Sequence, residues 1–291
     1  YELTRDLATY AIAKEVEAGR GSPHGGAYLS FEHLSAAALR EAFGPIIDRL
    51  AKNGIDLTRM PVEVAPIAHY HMGGVATGSD MATAVPGLYA AGEAVGGAGG
   101  ANRLSGNAIT EALAFGRRAG REAAARVQAM REREDATRAA ASRSNAVQNL
   151  ARAAAANLLR PGTLGRDANT AAGVERLQQL MWRHAGPFRT GAGLRTGAAA
   201  LSELAAVFAS PPPRLPQSFD MEWLDWLDLR NMLLVARTIV QCAVERTESR
   251  GAHRRDDCPG LDPAWQLHLS TTLHASDEDA LQLDRVQPCL A

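Results

Sequence analysis

Between Pro66 and Gly120 the chain gathers what an anion-binding site needs. The run reads PIAHYHMGG, then GLYAAGE, then GGANRLSGNAITEALAFGRRAG. It holds a His-Tyr-His-Met-Gly-Gly turn, an acid, Glu93, closing a short apolar strand, and a Gly-rich loop that carries Arg103 into a helix. Gly73, Gly74, Gly96, Gly97, Gly99, Gly100 and Gly106 let the backbone approach a ligand and take positive φ. An arginine and a histidine buried beside so much bare backbone are the composition of an anion site, read here as the substrate end of an enzyme. Guanidinium suits a carboxylate because its planar fork gives two charge-assisted bonds, each contributing about 1.5–3 kcal/mol. The rival reading is a surface arginine, common in a chain whose lysines are only Lys14 and Lys52.

The elements that position these residues follow from pattern and punctuation. Thr4 or Asp6 caps a helix through Ile12 and Val16, which Gly19-Arg20-Gly21-Ser22-Pro23 ends. Ala27–Phe31 has strand character, and Ser35 opens one amphipathic helix through Leu39, Phe43 and Leu50 that Gly54 stops. Short strands are expected at Val62–Val64 and Gly87–Ala91, and Asn107 introduces a long helix to about Arg131. From Glu122 to Asn169 the Ala/Arg-rich stretch predicts helix interrupted at Pro161-Gly162. Three amphipathic helices come next. The third has steps of three and four at Trp226, Leu229, Leu233, Ala236, Val240 and Ala243, the spacing of a bundle core. The tail after Cys258 reads as polar and weakly patterned.

Composition sets outer bounds. A chain of 291 residues, 46% hydrophobic and 22% charged, is long enough for two globular cores. A net charge of −1 argues against a general nucleic-acid partner, whose basic footprint should show. There is no 18-residue apolar run, so no membrane span is predicted. Cys242, Cys258 and Cys289 are odd in number and widely spaced, giving neither a disulfide framework nor a metal-ligand cluster, and a reducing compartment fits.

PIAHYHMGGVAT, GLYAAGE and GANRLSGNAITEALAFGRRAG closely resemble the flavoprotein subunit of the succinate dehydrogenase and fumarate reductase family, which includes L-aspartate oxidase. The opening TRDLATYAIAKEVEAGRG resembles the end of that family's capping domain, and ESRGAHRRDDCPGLDPAW its C-terminal helical domain. The fold this implies is α/β plus all-α: the C-terminal part of a Rossmann-like FAD-binding domain with a capping-domain remnant, then a helical bundle. Residues 1–62 would end the capping domain, 63–130 close the FAD-binding domain, 131–170 connect, and 171–291 form the helical domain and tail. The family's GxGxxG loop has no counterpart here, so the resemblance implies a subunit truncated at Tyr1 and inactive as 291 residues alone.

Carried over residue by residue, the resemblance makes Arg103 and His69 the substrate-carboxylate ligands and Arg5 the catalytic proton donor. It makes Glu93 an acceptor for FAD hydroxyls. Asn107, Ala108 and Ile109 open the helix whose N–H groups reach the flavin pyrimidine end and favour its negative charge. Ala108 stands where the family usually has serine, and Gly99 where it commonly has histidine before GANR. His71 reads either as a supporting donor or as a turn residue. Arg250, His253 and Arg254 read as a charge network holding the helical domain against the flavin domain. The implied activity is FAD-dependent interconversion of succinate and fumarate, with hydride passing between substrate and flavin N5. An iron–sulfur subunit would be the partner, in the cytoplasm or peripherally on the cytoplasmic face of the inner membrane. Met72 and GGANRLSGN lean to this side over L-aspartate oxidase. A reading of another class is a catalytically incompetent fragment acting only through partner binding.

Overall fold

Short polar side chains, Ser35, Asn169, Thr190 and Asp220, set the starts of four helices in this chain. The computed structural model describes residues 5–133, 137–165, 168–274 and 277–287, and these mix helices with two small antiparallel sheets. The chain divides into two compact units between His69 and Tyr70.

In the first unit, α1 (Arg5–Glu17) precedes β1 (Ala27–Leu29), which pairs antiparallel with β2 (Val62–Val64). The single helix expected from Ser35 is in fact two, α2 (Ala36–Phe43) and α3 (Pro45–Lys52). Pro45 has no N–H for the preceding turn and opens a new helix at its first position, so the chain breaks at Gly44. Ser35 caps α2 as expected, its hydroxyl accepting from Ala38 N–H at 3.2 Å. Leu39, Ile47 and Leu57 are buried together, and Phe31 meets Phe43 edge-on with centroids 5.4 Å apart.

The second unit is dominated by helices. They are α4 (Asn107–Arg133), α5 (Thr137–Leu158), α6 (Thr170–Ala185), α7 (Gly191–Val207) and α8 (Met221–Glu245). Asn169, Thr190 and Asp220 cap α6, α7 and α8, each accepting an N–H from the first turn. The apolar stripe of α8 is buried along its length and packs with Leu177, Leu180, Leu194 and Leu201 from α6 and α7. Trp226 is fully buried, and its indole N–H donates to Phe208 O at 2.9 Å. No helix among the described residues is long and apolar enough to cross a membrane.

Three expectations are corrected here. Gly87–Ala91 forms no strand: Tyr89 makes one isolated bridge to Ala82, and no ladder extends it among the described residues. The described residues hold no parallel sheet either, only single parallel bridges such as Val75 to Val95, so the Rossmann-like layering appears just as a mixed helix-and-sheet fold. Third, the tail is not featureless, because β3 (His268–His274) and β4 (Asp277–Val286) form an antiparallel hairpin. It is tied to α8 by Gln241, which donates to Leu281 O at 3.1 Å, and by an Arg285–Glu245 ion pair at 2.8 Å. Cys289 lies outside the described residues.

Beyond α8, residues 246–258 fold into a polar knot. Glu248 is fully buried and takes Arg246, Arg250 and the Asp262 N–H on its two oxygens. Burial pushes its pKa up, but the bonds from Arg250, Asp262 and Arg246 outweigh that and hold it low. Arg255, 4% exposed, makes a two-bond pair with Asp257 at 2.8 Å. Its remaining nitrogen donates to the carbonyls of Ala243, Val244 and Arg246 at the end of α8. His253 accepts from Arg189 at 3.0 Å through Nδ1. Arginine cannot accept, so the ring proton sits on Nε2 and faces Arg246 O at 3.2 Å.

Burial, then the charge of Arg189, pushes the His253 pKa down to about 4. An unfolded histidine takes its proton near pH 6.5, so the native state binds fewer protons between those values. The stability from neutral His253 is present above about pH 6.5 and is lost as pH falls towards 4. Replacing His253 with Gln, which keeps one acceptor and one donor but does not titrate, should flatten the melting temperature across that window. An unchanged slope in a pH series of thermal melts would refute this assignment.

Candidate functional site

The centre of the Pro66–Gly120 block is Tyr70, a residue the sequence reading passed over. Its half-buried ring has the Arg103 guanidinium carbon lying over it, 4.1 Å from the ring centroid. Its hydroxyl donates to Glu111 Oε2 at 2.6 Å, one turn into α4. That bond raises the phenol pKa first, then burial, then the charges of Glu111 and Glu93, with Arg103 opposing. Two signals could have found it. Tyr70 stands between the two histidines of the motif, and Glu111 follows Asn107 by one helical turn on the same side of α4.

Arg103 is half-buried and donates through Nη1 to its neighbour's carbonyl, Leu104 O, at 2.8 Å. Its Nε is buried with no hydrogen-bond partner among the described residues. A buried donor without a partner is costly unless a ligand completes it.

The turns around this arginine are locked by backbone. Val75 N–H donates to Ala94 O at 2.8 Å, and Gly96 N–H returns to Val75 O at 3.1 Å. A Cβ on Gly74 would lie 2.5 Å from Ala94 O, so only glycine lets these segments touch. The contact brings the His-Tyr-His-Met turn against the 3-10 turn Gly92–Ala94, and Glu93 accepts the His71 N–H on Oε1 at 2.9 Å. Glu93 is exposed, and its other oxygen has no hydrogen-bond partner among the described contacts. It sits in a helical turn and does not close a strand, as the sequence had suggested.

The Gly-rich loop is fastened from the far end of the chain. Arg250 and His253 close a tight turn, and between them Ala252 N–H donates to Ala101 O at 2.9 Å. Gly251 holds φ +56°, and a Cβ there would sit 2.5 Å from Ala101 O. The SRGAHRR segment therefore acts on the loop through backbone, while its charged side chains Arg250 and Arg255 pair with the flanking acids Glu248 and Asp257.

Within the second unit, then, Glu93, Arg103, Asn107, Ala108 and Ile109 share one region around Tyr70 and the start of α4. Ala108 is half-buried, Asn107 and Ile109 are exposed, and the first N–H groups of α4 lack helical acceptors. His69 is the last residue of the first unit and is exposed, not buried as expected. The His71 ring folds back over Gly73. Arg5 is the first residue of α1, and its side chain lies outside the described residues. Chemically the region offers one cation with open N–H edges, one exposed carboxylate and a helix N-terminus.

Comparison with known proteins matches this region and the bundle separately. Residues 1–109 match an FAD binding domain, and residues 174–288 match the family described as fumarate reductase flavoprotein C-term. The chain is 35% identical to the fumarate reductase flavoprotein subunit of Mycobacterium tuberculosis, over 96% of this chain and 48% of that protein. It is 36% identical to L-aspartate oxidase of Rhodospirillum rubrum, over 92% of this chain and 81% of that protein. Among solved structures, Mycobacterium smegmatis Sdh1 in complex with UQ1 superposes with a TM-score of 0.79 at 35% identity, covering 98% of this chain and 47% of that one. The chain thus spans about half the length of the fumarate reductases it matches, and about half of Sdh1.

The fastening at Gly251 is open to a direct test. Alanine there must take a left-handed conformation and clears Ala101 O only by moving the loop. Gly251→Ala should cost about 1–3 kcal/mol of stability, read from the denaturant midpoint. An unaltered midpoint would mean the turn does not hold the loop.

Proposed function

The chain belongs to the family of FAD-dependent oxidoreductases that contains fumarate reductase flavoproteins and L-aspartate oxidases, and on that premise we propose that it interconverts succinate and fumarate. The observation that carries this reading is Arg103: a guanidinium lying over the Tyr70 ring, with its buried Nε still lacking an acceptor. A carboxylate is the ligand whose two oxygens match that edge.

FAD is the cofactor of this family, and the residues present fit it. The first N–H groups of α4 lack acceptors within the helix and suit the electron-rich edge of the ring. Glu93, exposed and holding His71 N–H on one oxygen, has the other for a cofactor hydroxyl. Gly74 and Gly96 keep the intervening backbone bare. When bound, FAD supplies the hydride acceptor or donor at its N5.

In this proposal Arg103 and His69 anchor one substrate carboxylate and fix the reacting carbons by orientation. Arg5 delivers a proton to the substrate carbon that becomes carbanion-like during reduction. A guanidinium stays protonated throughout the ordinary pH range and so keeps the proton in place until so basic a centre forms. Closure of the capping segment that carries Arg5 excludes water. Electrons would pass onward to an iron–sulfur subunit, with the complex peripheral to the membrane.

L-aspartate oxidation is the second reading, favoured by the 36% identity over most of the Rhodospirillum rubrum protein. Comparing turnover of succinate and of L-aspartate by the completed, FAD-loaded subunit, with oxygen as acceptor, decides between them. Oxygen-dependent aspartate consumption without succinate turnover would replace the first reading.

Two substitutions probe the assigned roles. Arg103→Lys keeps the charge and loses the fork, and should lower kcat/KM about 10- to 150-fold, the equivalent of one charge-assisted bond. Arg5→Ala should lower kcat by several orders of magnitude while dicarboxylate still perturbs the flavin spectrum. Retention of more than about a tenth of kcat, under roughly 1.4 kcal/mol of barrier, would move the proton donor elsewhere.

A further inference from the structure

We propose that Tyr70 is a positioning residue for anion binding, holding the Arg103 guanidinium over its ring so that the N–H edge stays open to a carboxylate. The inference rests on the reading of Arg103 as the carboxylate ligand and concerns what makes that ligand ready.

An arginine side chain reaching an anion site must be held without being neutralised. A carboxylate partner would hold it but would take the same N–H donors the substrate needs. Among the described residues no carboxylate makes an ion pair with Arg103; its protein contacts are the Tyr70 ring and the Leu104 carbonyl on Nη1. The aromatic face attracts the cation through its quadrupole and brings no oxygen acceptor to its N–H donors. Nε remains buried and unpaired, and Nη2 is uncommitted among the described contacts.

The hydroxyl explains why the ring is tyrosine. It donates to Glu111 Oε2 at 2.6 Å, so the ring plane is pinned to α4, the same helix whose first turn is assigned to the flavin. The carboxylate that pins it is one phenyl ring away from the guanidinium. It adds negative potential at Arg103 without reaching the donors. Tyr70 therefore couples the cation to the helix that faces the cofactor, and the next residue, His71, donates its backbone N–H to Glu93.

The test uses the FAD-loaded protein and malonate, an unreactive dicarboxylate, titrated through the change in flavin absorbance. Tyr70→Phe keeps the ring face and should lose no more than about threefold in malonate affinity. A pentafluorinated phenylalanine introduced at position 70 keeps the shape but removes the attractive quadrupole, and should lose about 2- to 30-fold relative to Tyr70→Phe. FAD content should be unchanged in both. In combination with Arg103→Ala, the fluorinated ring should have no further effect, because its target is gone. Equal malonate affinity for the two ring types, or the same loss with and without Arg103, would overturn the proposal. Wild-type malonate affinity in Arg103→Ala alone would instead overturn the carboxylate assignment itself, so the two failures are told apart. Tyr70→Leu extends the series: lower affinity at full FAD content supports the ring's role, and wild-type affinity refutes it.

Discussion

The Arg255–Asp257 pair is the interaction on which the larger unit hangs. Arg255 lies buried at the end of α8 and takes three carbonyls there, where the helix presents its negative pole. Asp257 reaches the other way and accepts Gly191 N–H at 2.8 Å, at the positive start of α7. One ion pair thus satisfies two helix ends of opposite sign. Arg255 is the buried partner, while Asp257 keeps 41% of its side chain exposed. A buried charge recovers its desolvation cost only when paired and hydrogen-bonded. This one is saturated with backbone partners, which is the condition under which such a pair can hold. Asp257 is kept far below the usual carboxylate range by Arg255, despite burial and with help from Gly191 N–H.

From that pair the order passes outward through backbone. The 249–258 segment is pinned by Ser249, whose hydroxyl donates to carbonyls of the segment and accepts the Arg255 N–H. The same segment presents Ala252 N–H to the Gly-rich loop. The arginine assigned to substrate is thereby positioned by two kinds of force. An aromatic face sets its side chain, and a remote turn sets its loop. Neither uses the N–H edge that a carboxylate would occupy.

What could be read from the sequence was whatever local chemistry decides. The stripe of α8 and the cap at Ser35 were legible because spacing and side-chain type act within a few residues. The Gly-Pro break between α2 and α3 was equally local and went unread, though Pro45 states it. The hairpin of β3 and β4 was hidden for another reason. Its stability comes from α8 through Gln241 and Glu245, some forty positions away, and its own residues are largely polar. Tyr70 was overshadowed by its histidine neighbours, because a phenol has no fixed role until its hydroxyl partner is known. Glu93 was found for its acid group but set on the wrong element, since an apolar run makes a strand only where another strand lies alongside.

The bond from Ala252 to Ala101 joins positions on the order of 150 residues apart. Closing so long a loop costs about 4 kcal/mol in chain entropy, whereas one such hydrogen bond returns roughly 0.5–1.5 kcal/mol. The bond cannot draw its two ends together; it forms only once the rest of the unit has already placed them. A ribosome releases Ala101 long before Ala252, so the loop bearing Arg103 waits, unfastened, until residue 252 follows. The geometry of that loop is therefore settled only after its distant partner has been made.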